Sequence, residues 1–389
     1  MGFFGRKRAP SVPHPRKEPR FDGPLTLERL EQIFQDCVDF TKRPVSLGEG
    51  GACTLTLCYL SGMVKMERVS DYVLRPLAQD EALARCGTPR QAMEEMMGGA
   101  LYNLSAAERT TLDEAAFDLV AGWCLMFFPG ESAVLSLFVG TEEKRSISSP
   151  SNETVLKGSR DAFVESLRTN TSIVRRHLKT PELRIREQVV GRQSVTSVDI
   201  LYIEGLTNPH LVEQVAAQLA DIDIDAVLAT GNIEEYIVPA ARTAFPLVQY
   251  TERSDRFCAG LAEGRVGILI DGLPLGYLAP GVLGDFLQAP QDKSESWLLA
   301  SALTLLRYLC MLGTLLLPAL YVAMVTFHQE MIPTRLALSI IAAKQDVPFR
   351  SVFEVIVLLL AFEILQEAGL RLPQSIGQTV SIIGGLVVG

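Results

Sequence analysis

From Tyr308 to Thr326 the chain runs YLCMLGTLLLPALYVAMVT, nineteen residues without a charge. As an α-helix, at about 1.5 Å per residue, this stretch reaches roughly 28 Å, enough to cross the hydrocarbon core of a bilayer. The competing reading is the buried core helix of a soluble domain. The length of the uncharged run argues for the membrane. Trp297, Tyr308 and Tyr321 stand where interfacial anchors would. Pro318 predicts a kink, which neighbouring helices tolerate in lipid.

The residues that follow are less uniform. In HQEMIPTRLALSIIAAKQDVPFR the apolar centre, Leu336–Ala343, is eight residues long, too short to span and suited to a re-entrant or interfacial segment. Next comes FEVIVLLLAFEILQEAGLRLP, apolar yet carrying Glu354, Glu363, Glu367 and Arg371. On a helix Glu354 and Glu363 point to opposite sides. Glu363 and Glu367 share a face, and Arg371 follows Glu367 by four in the favourable acid-before-base order. A carboxylate at membrane depth is costly unless it meets water, a cation or a partner. Glu354 is therefore a candidate for a pore or subunit interface, with a satisfied structural contact as the alternative. The other three are candidates for the same role or mark the headgroup end of the helix. The terminal SIGQTVSIIGGLVVG is uncharged but fifteen residues long, about 22 Å as a helix and short of a full span.

Before Trp297 the chain reads as soluble. Residues 1–24, basic and Pro-rich, read as a disordered tail able to touch anionic lipid; they lack the apolar region of a signal peptide and the myristoylation pattern. Residues 25–145 read as one α/β subdomain and 155–290 as a second, with a polar linker at 140–154. The first has a helix in LTLERLEQIFQDCVDF, a strand in ACTLTLCYLSG, a helix starting near Ser70, and a strand pair in GWCLMFF and AVLSLFV. The second has an Arg-bearing helix in RDAFVESLRTNTSIVRRHL, a strand in VDILYIEG, a helix capped by Asn208 with Pro209 in its first turn, a helix closed by Gly264, and two strands around Asp271-Gly272. Interleaved strands and helices predict a mixed or partly parallel sheet. The fold class is an α/β region of two subdomains followed by an α-helical transmembrane region, 297–389.

The charge balance excludes some functions. A net charge of -9 argues against general nucleic-acid binding. Seven cysteines without a CxxC pair and four scattered histidines give no metal-ligand spacing and point to reduced thiols in a cytoplasm. SLGEGGAC lacks the Lys of a phosphate loop. Asp221, Asp223 and Asp225 alternate and invite a divalent ion. The simpler reading is a solvated edge with Ile222 and Ile224 turned inward. Arg168, Arg175 and Arg176 are candidates for contacts with acidic partners, against the alternative of a solvated helix face. With no nucleophile–base pair and no cofactor motif, an enzyme ranks behind a channel-type subunit and a secondary transporter with a cytoplasmic regulatory domain.

Several long motifs, in order, resemble the A-subunit family of spore germinant receptors, the GerA family: KGSRDAFVESLRTNTSIVRRHL, ILYIEGLTNPHLVEQV, FPLVQYTERSDRFCAGLAEGRVGILIDGLP, LLRYLCMLGTLLLPALYVAMVTFHQEMIPTRL and VPFRSVFEVIVLLLAFEILQEAGLRLP. The resemblance implies a multi-pass protein of the inner spore membrane with a cytoplasmic two-part N-terminal region. It implies a transporter-like B subunit that binds nutrients, a lipoprotein C subunit, and a homo-oligomeric ring whose helices conduct ions. The stage V sporulation AF branch shares these motifs. Two features depart from the family. The chain stops where members usually continue, as a truncated member would. Arg335, Lys344 and Arg350, beyond the first span, strain the positive-inside rule unless the segment re-enters.

Overall fold

The computed structural model describes residues 20–47, 53–80, 83, 86, 88–101, 105–140, 161–227, 235–237, 245–289, 291–292, 296–345 and 349–371. Most of the expected basic tail, part of the SLGEGGAC turn, nearly all of the polar linker, and the terminal SIGQTVSIIGGLVVG lie outside these residues. The chain divides after Ser294 into two compact units.

The first unit holds two five-stranded sheets. Strands β1 (Phe40–Leu47), β2 (Cys53–Leu60), β3 (Ala106–Arg109), β4 (Trp123–Phe127) and β5 (Val134–Phe138) form one sheet in the order β1-β2-β4-β5-β3. Strands β6 (Leu183–Val190), β7 (Thr196–Ile203), β8 (Gln249–Thr251), β9 (Val266–Ile270) and β10 (Gly276–Ala279) form the other in the order β6-β7-β9-β10-β8. The two orders are the same pattern repeated. In each, a hairpin is followed by a lone strand and a helix, and a second hairpin then inserts between them.

Every strand pair is antiparallel. This corrects the expected mixed or partly parallel sheet. The helices between strands do not join neighbours: β3 and β4 are separated by β5, and β8 and β9 by β10. A helical crossover that skips one strand leaves room for an antiparallel insert.

Strand alternation feeds both faces of each sheet. In the first, Leu55, Leu57 and Tyr59 pack toward the helical turns of 66–79 and 89–100, while Cys58 and Leu60 pack toward the helices Leu27–Ile33 and Leu112–Val120. In the second, Val198, Ile200 and Tyr202 face the Pro209–Ala220 helix, and Leu201 and Ile203 face the helices Leu167–His177 and Ser254–Ala262. Side chains place the helix starts: Thr26 accepts from Arg29 N at 3.3 Å, and Asn208 from His210 N at 3.0 Å. In β9, a Cβ at Gly267 would lie 2.3 Å from Phe257 Cζ, so glycine lets the Ser254–Ala262 helix rest directly on the sheet. Residues 20–24, expected within the tail, include a docked end: Arg20 N donates to Asp113 at 3.0 Å and Phe21 packs on the first core.

The second unit is helical: Trp297–Phe327, a short turn at Gln329–Met331, Thr334–Lys344 and Ser351–Arg371. Trp297–Phe327 is 31 residues long with Pro318 inside it, and among the described residues it alone is long and apolar enough to cross a membrane. Ser351–Arg371 packs against it.

Candidate functional site

Two constellations bring charge into apolar surroundings. The first joins the two sheet-bearing lobes. The Leu27–Ile33 helix stops where the sequence pattern continues, and residues 36–38 instead run alongside β6: Ile185 N donates to Asp36 O at 2.9 Å, and Val38 N to Ile185 O at 3.0 Å. Arg175 reaches this segment from the Leu167–His177 helix. Its Nε donates to Asp39 Oδ2 at 2.9 Å and its Nη2 to Asp39 Oδ1 at 3.0 Å, a bidentate fork. Nη1 donates to Leu183 O at 3.0 Å, and Nη2 also approaches Cys37 Sγ at 3.4 Å. Burial alone would lower the Arg175 pKa; Asp39 and Cys37 outweigh it and hold the guanidinium above its ordinary value. Beside it, Arg184 donates to Ile33 O, Arg20 pairs with Glu182, and Arg186 bonds Asp36 at 2.9 Å while lying 5.4 Å over the Tyr202 ring.

The three arginines proposed for acidic partners therefore have different surroundings. Arg175 is 0% exposed and Asp39 2%, so Arg175 is not on a solvated face and is closed to any outside partner. Its acidic contact is within the chain. The reason is long-range: Asp39 lies 136 positions upstream. Arg168 is half exposed and already bridges Glu187 at 2.7 Å and Asp199 at 3.3 Å. Arg176 is half-buried and donates to Ser172 Oγ at 3.2 Å. Asp199, wholly buried in β7, takes a hydrogen bond from Thr171 at 3.0 Å. Burial pushes its pKa to about 6 against the pull of Arg168 and Thr171.

Other groups are structural in their geometry. Asp223 pairs with Arg192 at 2.7 Å, and Ile222 and Ile224 pack on the second core, so the alternating aspartates form the solvated edge. Ser254, His177 and Asp161 are neighbours, with Ser254 Oγ 3.1 Å from His177 Nε2. Yet Ser254 is buried and donates its proton to Asp161 O at 3.0 Å, which leaves no attacking hydroxyl. A cavity of about 360 Å³ is lined by Arg253 and Arg265, but these already face Asp255 at 2.6 Å and Asp285 at 2.6 Å.

The second constellation lies in the helical unit. Lys344 Nζ donates to Ser351 Oγ at 2.6 Å, stands 3.2 Å from Glu354 Oε2 and lies 5.5 Å over the Tyr321 ring. Among the described residues no donor is aligned for a hydrogen bond to that carboxylate oxygen, so the pair is held by charge. Tyr321 precedes the end of its helix by six residues, about 9 Å along the axis. The last residue of the Thr334–Lys344 helix thus returns to the level of Tyr321 on the Trp297–Phe327 helix. Lys344 was a topological anomaly in the sequence and is here the counter-ion of Glu354. Glu363 and Glu367 are exposed on the Ser351–Arg371 helix. Arg371 ends that helix, and its side chain lies outside the described residues.

The Bacillus/Clostridium GerA spore germination protein family matches residues 28–389. The chain belongs to the GerA family. It is 36% identical to spore germination protein KA of Bacillus subtilis (strain 168) over 353 residues, 90% of this chain and 64% of that protein. It is 37% identical over 363 residues to the uncharacterized membrane protein YfkQ of the same organism, covering 93% of this chain and 69% of that one. The chain spans about two thirds of the length of these two relatives. Its fold resembles the crystal structure of the N-terminal domain of the A subunit of the Bacillus megaterium spore germinant receptor GerK3, with a TM-score of 0.52, 27% identity, and coverage of 68% of this chain and 99% of that one.

Proposed function

We propose that this chain is the A-type subunit of a spore germinant receptor and works as its channel-type component. It assembles with copies of itself and with a transporter-like B subunit and a lipoprotein C subunit in the inner spore membrane. Its membrane helices line the path by which ions leave at the start of germination, and its lobed region lies on the cytoplasmic side. The observation that carries this reading is the Lys344–Glu354 pair, set between apolar helices beside Tyr321. Charges at such depth are retained where they meet water, ions or a partner. A pair that lacks an aligned hydrogen bond is easily drawn apart, which would turn both charges toward a water path. Glu363 and Glu367 share the side of the Ser351–Arg371 helix away from Glu354, which fits a subunit interface or the headgroup end of the helix rather than the same path.

The test is cation flux from liposomes carrying the full chain with its B and C partners. Flux that rises with nutrient, and that changes ion selectivity when Glu354 and Lys344 are exchanged, is expected. Flux of equal size and selectivity without this chain would overturn the channel role.

A further inference from the structure

The short helix Leu283–Leu287 closes the second lobe, and its outer face is apolar. Val282, Leu283 and Phe286 are 51%, 53% and 47% exposed, and a spacing of three puts Leu283 and Phe286 on one side. Asp285, the carboxylate in the same turn, points inward. It accepts from Arg265 at 2.6 and 2.9 Å and from Val282 N at 2.9 Å. Burial would raise its pKa, but Arg265 and the Val282 amide outweigh that and hold it below the ordinary value, so it stays charged and turned away. Arg256 adds a bond to Asp285 O at 3.2 Å. The turn is therefore pinned to the lobe by two arginines, and its outward side carries no charge.

Only eleven positions separate Phe286 from Trp297, where the 31-residue apolar helix begins. Eleven residues reach at most about 40 Å when fully extended. After Leu287, which is half-buried, the remaining QAPQDKSES is mostly polar, so this turn is the last exposed cluster of large apolar side chains before the span. A lipid surface is thus tethered within reach of an uncharged apolar turn. We propose that Val282, Leu283 and Phe286 form a membrane dock, seated at the headgroup–acyl boundary of the bilayer that Trp297–Phe327 crosses. An apolar face of this kind enters that boundary by roughly 5–10 Å. The dock rests on the reading of Trp297–Phe327 as a span. It would hold the second lobe against the membrane, so that motion of the lobe is passed to the helix without slack.

The test uses the full chain in phosphatidylcholine–phosphatidylglycerol vesicles, with and without phospholipid brominated on its acyl chains. Phe286→Trp is made in a Trp297→Phe background; the remaining Trp123 is buried and serves as an internal constant. The expected result is blue-shifted emission from position 286 that falls by more than about half with brominated lipid, the quencher lying at the depth of an interfacial face. Water-like emission overturns the dock. So does blue-shifted emission that brominated lipid leaves unchanged, which would mean that a second copy of the chain covers the turn. The unsubstituted chain separates the two readings: quenching of Trp297 upholds the span whatever happens at position 286, and its absence removes both.

Discussion

Replacing Arg175 with Met keeps the length of the side chain and removes its charge. Asp39, 2% exposed, is then left facing a thioether, and the bonds to Leu183 O and Cys37 vanish as well. Breaking a buried ion pair from one side costs about 3–5 kcal/mol. An upper limit follows from proton uptake. Neutralising a carboxylate of ordinary aspartate pKa, about 3.9, costs about 4 kcal/mol at pH 7 and about 1.5 kcal/mol at pH 5. The expected loss is therefore about 3–4 kcal/mol at pH 7, falling below about 2 kcal/mol at pH 5. In the soluble region that corresponds to a melting point lower by roughly 6–16 °C at neutral pH, at about 2–4 °C per kcal/mol for a unit of this size. Denaturant unfolding of residues 20–294 at the two pH values measures it. Adding Asp39→Leu to Arg175→Met should recover most of the loss, because an apolar pair leaves no buried charge. A loss under about 1 kcal/mol, a loss independent of pH, or a double variant no better than the single one would refute the reasoning. Charge reversal at Arg175 cannot probe a partner surface, since it would part the two lobes first.

Three further outcomes are expected. Asp199→Asn should leave stability near pH 4 unchanged and raise it by up to about 3 kcal/mol at pH 7: the folded carboxyl, with its pKa at about 6, binds a proton that the unfolded one releases near 3.8, so the wild type loses stability as pH rises through that window; melting curves across pH 4 to 7 read this difference. Glu354→Gln should lower the membrane abundance of the chain by leaving Lys344 unpaired, and adding Lys344→Met should restore it, as quantified by immunoblot of membrane fractions; normal abundance in the single variant would show that the pair contributes nothing to assembly. Val195, exposed in the β6–β7 turn at φ 46, should gain about 1 kcal/mol on replacement by Gly, seen as a higher denaturant midpoint.

Much of the architecture was legible because it is local. Asn208-Pro209, Gly264 and Asp271-Gly272 act through their own backbone, and each stands where the sequence put it. What escaped reading depended on neighbours. β1, FTKRPVSL, carries Lys42, Arg43 and Pro44, the residues that blunt an edge strand, and these hide it as a strand. β6, LRIREQVV, buries Leu183 and Ile185 but carries Arg184 and Arg186 between and after them. In QDCVDF the helical spacing of apolar residues continues past Ile33, yet the chain leaves the helix because Asp36 and Val38 find backbone partners at Ile185. Tertiary pairing overrides propensity there. At the candidate sites the acids and bases were visible singly. Their pairings were not, since Arg175 and Asp39 are distant in sequence, and Lys344 meets Glu354 only because the end of a short helix returns to the level of Tyr321.

Both pairings raise the same physical question, because an ion pair taken wholly (Arg175–Asp39) or partly (Lys344–Glu354) out of water contributes less net stability than a well-packed apolar pair. Their geometry supplies an answer. An apolar contact tolerates sliding and rotation, whereas the Arg175 fork fits one orientation of Asp39 with two bonds and ties a third to Leu183 O. Two lobes of the same topology offer many near-equivalent ways of packing sheet against helix, and a fork at their joint selects one. The Lys344–Glu354 contact is looser, with one close approach and no aligned hydrogen bond. On this argument the lobe joint is a fixed coupling and the membrane pair is the element that yields. The double variants at the two sites test the contrast directly: restoring apolar packing at Arg175 and Asp39 should spare function only if lobe orientation is retained, and restoring it at Lys344 and Glu354 should rescue abundance while leaving ion flux lost.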